Sequence, residues 1–88
     1  MKRIINFKKD KNKNYIFEEQ RTKNKLTIDS NNKKLSGKDL YYAFFNDNKF
    51  NKDDSFELIN KLKTQNSTDK HIFEKMKDLF KEIEKQLK

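Results

Sequence analysis

The sequence predicts a small α+β domain: a three-stranded antiparallel β-meander followed by three helices packed on one face of the sheet. Three observations predict it. Short segments rich in β-branched and aromatic residues alternate with Asn- and Lys-rich breaks over the first third of the chain. Helix-start signals recur at Ser36, Asp54 and Ser67–Asp69. The C-terminal segment carries an uninterrupted apolar stripe at helical spacing. A chain of 88 residues buries one core, so residues 1–88 are expected as one domain, with a β-part over 1–35 and a helical part over 36–88.

The strands are expected at Arg3–Lys8, Asn14–Gln20 and Lys25–Asp29, where Leu26, Thr27, Ile28 and Asp29 alternate in polarity. Lys9–Lys13 and Arg21–Asn24 are polar and read as the connecting turns. A helix should begin at Ser36, since Ser36 with Asp39 resembles a capping box and Leu35 with Leu40 stands at the positions of a hydrophobic staple. It carries Leu40 and the aromatics Tyr41, Tyr42, Phe44 and Phe45, read as core more than as a stacking platform, and loses its pattern at Asn46–Asn48. A second helix is expected from near Asp54 to about Thr64: Asp54 caps, Glu57 reaches back, and Phe56, Ile59 and Leu62 share a face. A third begins after Ser67, Thr68 or Asp69. It places Phe73, Met76, Phe80, Ile83 and Leu87 on one side, widened by Ile72 and Leu79, and charge on the other.

Only 32% of the residues are apolar and 41% are charged, so the core must be thin and depend on its eight Phe and three Tyr. Without Cys there is no disulfide framework, thiolate metal site or thiol nucleophile. No apolar run approaches the ~18 residues of a membrane span, and the start of the chain has no signal-peptide core, so a cytoplasmic protein is expected. Asn66-Ser67-Thr68 matches a glycosylation sequon and is incidental in that setting.

The formal charge is +8, from 22 basic and 14 acidic residues. Lys and Asn are both abundant, as an AT-rich genome would produce, but such a bias acts on the whole chain and does not explain the distribution. Residues 1–38 hold 12 basic and 4 acidic residues, while residues 39–88 hold ten of each. Asymmetry of this kind marks a binding surface. In a meander, Lys8, Lys9, Lys11, Lys13, Lys33 and Lys34 gather at one end of the sheet, and Lys2, Arg3, Arg21, Lys23 and Lys25 at the other. Strands of about six residues at ~3.3 Å each separate the clusters by roughly 20 Å, enough to reach both walls of a duplex major groove ~12 Å wide.

These eleven residues are the expected nucleic-acid-binding site, with double-stranded DNA preferred to RNA. Arg3, Arg21, Asn6, Asn24, Thr27 and Gln20 are candidates for base contacts, although each is first of all an ordinary surface residue. Glu18, Glu19 and Asp29 on the strands argue against a strong base reader. The function expected is therefore that of a DNA-binding accessory or regulatory protein of the kind plasmids and phages encode, pairing as a homodimer through its 68–88 helix. The rival is a small phage-type inhibitor module that docks on a host enzyme or a ribonucleoprotein. Membrane-surface binding ranks below both, because the last helix is charge-mixed and not basic.

An enzyme is not expected, and neither is a cofactor. His71 is the only His and no motif gives it a partner; Gly37 is the only Gly, which excludes a phosphate-cradling loop. Asp10-x-Asn12-x-Asn14 starts like a calcium loop but has Tyr15 where Gly is required and Arg21 at the closing position; Asp47–Leu58 lacks both the Gly and the closing Glu. In its order of elements alone, over about residues 3–46, the chain resembles the arm-type DNA-binding domains of some integrases. That resemblance implies a three-stranded sheet laid in the major groove.

Overall fold

The computed structural model describes residues 1–29, 31, 34, 36–45 and 53–87. The expected meander forms as β1 (Lys2–Lys9), β2 (Tyr15–Glu19) and β3 (Lys25–Ile28), joined by α1 (Gly37–Phe44) and the long α2 (Ser67–Leu87). Between the helices lies a correction. The segment expected as a second helix from Asp54 is a strand, β4 (Ser55–Asn60), so the described residues follow the order β-β-β-α-β-α, with two helices and a mixed sheet of order β3-β2-β1-β4. β1 pairs antiparallel with β2 and parallel with β4, with Ile5 opposite Glu19 on one side and Leu58 on the other.

The capping signals at Asp54 and Glu57 failed because cations of β1 take both side chains. Arg3 Nε donates to Asp54 Oδ2 at 3.2 Å, and Lys2 Nζ lies 3.2 Å from Glu57. Neither carboxylate is left to stabilise a helix end, and Phe56 and Leu58 fall on the period-two positions that face the helices.

One face of the sheet carries the core. Ile5, Phe7, Phe17, Leu40 and Phe44 are fully buried, and Ile72, Met76, Phe80 and Ile83 of α2 close over them. The rings interlock at Phe7–Phe17 (4.7 Å between centroids), Phe7–Phe73 (5.4 Å) and Phe56–Phe80 (5.2 Å). The apolar stripe of α2 thus packs against the sheet and α1. The aromatic run of α1 divides: Phe44 is core, while Tyr41 and Tyr42 are exposed.

The caps also differ from expectation. Ser36 is the N-cap of α1 but its side chain makes no capping hydrogen bond, and Leu35 of the expected staple lies outside the described residues. α2 is capped one residue earlier than the signals suggested. The Asp69 N–H donates to Asn66 Oδ1 at 2.8 Å, and the Asn66 N–H lies 3.4 Å from Asp69 Oδ2. Asn66→Ala is therefore expected to lower stability by about 1 kcal/mol, and Ser36→Ala by no more than a few tenths of that, in paired urea melts. Equal losses would contradict this assignment of the caps.

Candidate nucleic-acid interface

Among the described residues, α1 and α2 pack on one side of the sheet, which leaves its other face and its turns to a large partner. By strand alternation the open face carries Ile4, Asn6 and Lys8 of β1, Ile16 and Glu18 of β2, Lys25 and Thr27 of β3, and Glu57 and Ile59 of β4. No aromatic side chain is among them.

The two turns of the meander are built alike. In the first, Asp10 Oδ1 accepts the N–H groups of Asn12 and Asn14, both at 2.9 Å, and the Lys13 N–H donates to the Asp10 carbonyl at 3.0 Å. In the second, Glu19 Oε2 accepts the Thr22 N–H and hydroxyl, and the Lys23 N–H donates to the Glu19 carbonyl at 3.0 Å. Each turn closes through a residue in the left-handed region, Lys13 at φ 64° and Lys23 at φ 65°. That conformation suits Gly or Asn and costs a branched or long side chain about 1 kcal/mol. Here a lysine stands at both.

The two clusters form at opposite ends of the sheet, as the meander requires, but carboxylates claim several of their members. Arg3 is mostly buried, bonded to Asp54 and 4.0 Å from Glu19 Oε1, so it is a structural cation and not a surface contact. Lys2 pairs with Glu57, Lys8 with Glu18 at 2.7 Å, and Lys9 with Asp69 at 2.9 Å. Lys11, Lys13, Lys23, Lys25 and Lys34 are exposed and make no ion pair among the described residues. Arg21 is exposed and rests against the Met1 sulfur; Lys33 lies outside the described residues. Of the base-contact candidates, Asn6 and Gln20 bond each other at 3.4 Å, and Thr27 is exposed.

On the open face the hydrogen bond from Lys8, with the charges of Lys8, Lys23 and Lys25, holds the Glu18 carboxyl below its ordinary value against the opposing effect of partial burial. Three lysines, Lys8, Lys23 and Lys25, thus act on this carboxylate. Sequence reasoning missed Lys61, which it placed at the end of a helix. The Lys61 N–H donates to the Phe7 carbonyl at 2.8 Å, extending the β4 ladder and setting an exposed lysine beside Lys8.

A polar cluster locks the first turn to α2. The Tyr15 hydroxyl donates to Asp69 Oδ1 at 2.7 Å, and the Lys9 ammonium reaches the same oxygen and lies 4.9 Å over the Tyr15 ring. Burial opposes ionisation of Asp69, but hydrogen bonds from Lys9, Tyr15 and the Asn66 N–H outweigh it and hold the carboxyl below 3.8. Burial, the bond to Asp69 and its negative charge push the Tyr15 hydroxyl up to about 12. These groups are occupied in holding the fold.

Among the described residues no three His, Asp or Glu are placed to hold a metal ion, and no helix is long and apolar enough to cross a membrane. His71 is exposed on α2. No family model matches the chain, and no curated protein or solved structure matches it.

Proposed function

We propose that the protein is a non-catalytic binding module that grips the phosphates of duplex nucleic acid, DNA before RNA, through lysines at the two ends of its sheet. The observation that carries this reading is the identity of the two left-handed turn residues. Folding alone favours Gly or Asn at positions 13 and 23, yet both carry exposed lysines, flanked by Lys11 at one end and by Arg21 and Lys25 at the other.

The fourth strand alters the docking geometry from the one the integrase resemblance implies. Four strands about 4.8 Å apart make a face roughly 14 Å across, too broad to lie lengthwise in a groove ~12 Å wide. In the proposed pose the strands run from wall to wall, and the turn lysines, roughly 20 Å apart, reach phosphates on both sides. None of the described strand residues on the open face is aromatic, which speaks against single strands, held mainly by stacking. Ile4, Ile16 and Ile59 offer no hydrogen bonds to base edges, so the binding is expected to be weakly sequence-selective.

The double substitution K13G/K23G tests this directly. Removing two strained lysines should raise folding stability by about 1–2 kcal/mol, since each left-handed residue is relieved. The same change should weaken duplex binding on every sequence alike and make the slope of log affinity against log salt shallower by about 2. A stabilised variant with unchanged affinity would remove the turns from the site. If the unaltered protein retards neither duplex nor single-stranded probes at low salt, a protein partner takes the place of nucleic acid.

A further inference from the structure

Among the described residues, β4 is bonded to β1 on one side only, and its outer edge pairs with no other strand. Its ladder uses the N–H groups of alternate residues, as Ser55 to the Met1 carbonyl (3.0 Å) and Lys61 to the Phe7 carbonyl (2.8 Å) show. The parallel register runs without a break from Ser55 to Asn60, so Phe56, Leu58 and Asn60 direct both N–H and carbonyl toward the open side. The first of these N–H groups is already taken, and by a carboxylate: Phe56 N–H donates to Glu84 Oε1 of α2 at 2.6 Å. The next two have no acceptor among the described residues.

Beside this edge, between β4 and α2, lies a groove of about 380 Å³. Phe56, Leu58 and Phe80 line it with apolar surface, and Lys2, Lys77 and Lys81 stand around it. Lys77 is held there by its contact with the Phe73 ring, 5.6 Å from ammonium to centroid. Lys2 is balanced by Glu57, which also lines the groove, and Glu84 is held by the Phe56 N–H, so Lys77 and Lys81 are the lining cations that make no ion pair among the described residues.

We infer that the β4 edge binds an extended acidic segment of a partner protein, added to the sheet as a fifth strand. The backbone of that strand pairs with Leu58 and Asn60, its apolar side chains enter the groove, and its carboxylates meet Lys77 and Lys81. Charge separates this occupant from a second copy of the chain. Two β4 edges paired about a two-fold axis would bring the α2 lysines of both copies onto one seam, a like-charge contact that costs affinity. An acidic strand meets the same lysines as counter-charges. The Glu84 carboxylate at the Phe56 N–H is the intramolecular precedent for an acidic group on this edge. The inference stands apart from the nucleic-acid reading, since it uses the opposite side of β1 from the meander turns.

The test uses the whole chain and a fluorescein-labelled peptide of about ten residues alternating Asp with Val, a length matched to one strand and its flanks. Binding by anisotropy should be accompanied by slowed hydrogen exchange at the Leu58 and Asn60 amides. A peptide of the same charge with Pro in place of Val should fail to bind, because it has no alternate N–H to offer the edge. K77E/K81E, checked for folding by its amide spectrum, should lose about tenfold or more in affinity, while K11E/K13E should keep it. The inference is overturned by absence of binding, by equal binding of the Pro peptide, or by Leu58 exchange that the peptide leaves unchanged. It is equally overturned if K11E/K13E weakens the peptide as much as K77E/K81E does, since the peptide would then be reading the meander turns. Protection of Leu58 that rises with protein concentration alone would assign the edge to a second copy and overturn it too.

Discussion

Arg3→Ala is expected to cost about 3–5 kcal/mol, the usual penalty for removing one partner of a buried ion pair. The guanidinium bridges Asp54, 1% exposed at its side chain, and Glu19, fully buried. Glu19 Oε1 accepts no hydrogen bond, so the cation is what offsets its charge there. Without Arg3, the buried Glu19 Oε1 loses the cation beside it, while Asp54 retains the N-terminal ammonium 3.5 Å from its Oδ1. A domain of this size has a total stability of about 5–10 kcal/mol, so the variant should be partly unfolded at ordinary temperatures. Urea denaturation followed by circular dichroism measures the loss. Arg3→Lys should recover part of it, because an ammonium supplies charge but not the planar fork that serves two acceptors. A stability change below about 1 kcal/mol for Arg3→Ala would show that the cluster is open to water. The same result bears on function. Any fall in nucleic-acid binding by this variant should track its unfolded fraction, whereas K13G/K23G should weaken binding while the fold gains stability.

Asp69→Ala should cost about 2–4 kcal/mol, combining an unsatisfied Tyr15 hydroxyl, an uncompensated Lys9 ammonium and half of the α2 capping box. The pH dependence of stability separates these contributions. Asp69 is held below 3.8 in the folded protein, so its stabilising effect is complete above that value. The effect is lost as pH falls through the lower folded value. Tyr15 is raised from 10.0 to about 12, so its contribution is complete below pH 10 and is lost as pH rises from 10 through about 12. Asp69→Ala should shrink the acid loss and soften the alkaline one. Tyr15→Phe should abolish the alkaline loss and leave most of the acid one, because Lys9 still bonds the carboxylate. Stability curves of Asp69→Ala and the unaltered protein that run parallel through the acid range would contradict this account.

The meander lysines follow from strand alternation and turn composition, so Lys11, Lys13, Lys23 and Lys25 stand at the strand ends where chain order alone puts them. Lys61 and the groove beside β4 are not legible in the sequence, because both depend on a strand whose local signals spell a helix. Asp54 with Glu57 is a sound capping pair in isolation, and Phe56, Ile59 and Leu62 do share a helical face. The approach of Lys2 and Arg3, with the N-terminal ammonium 3.5 Å from Asp54, removed those carboxylates from the helix start.

What the sequence by itself determined was the class of fold, the antiparallel meander, the extent of α2 and the placing of the excess positive charge on the β-part. These are properties of local periodicity and turn chemistry, which act over a few residues and need no distant partner. The tertiary structure decided the fate of the charges and of residues 55–60. Arg3 and Asp54 are 51 positions apart, and Tyr15 and Asp69 are 54 apart. Whether a cation is a ligand for phosphate or a brace for a buried carboxylate depends on which side chain the folded chain brings to it, because an ion pair is a contact in space and leaves no periodic trace along the chain.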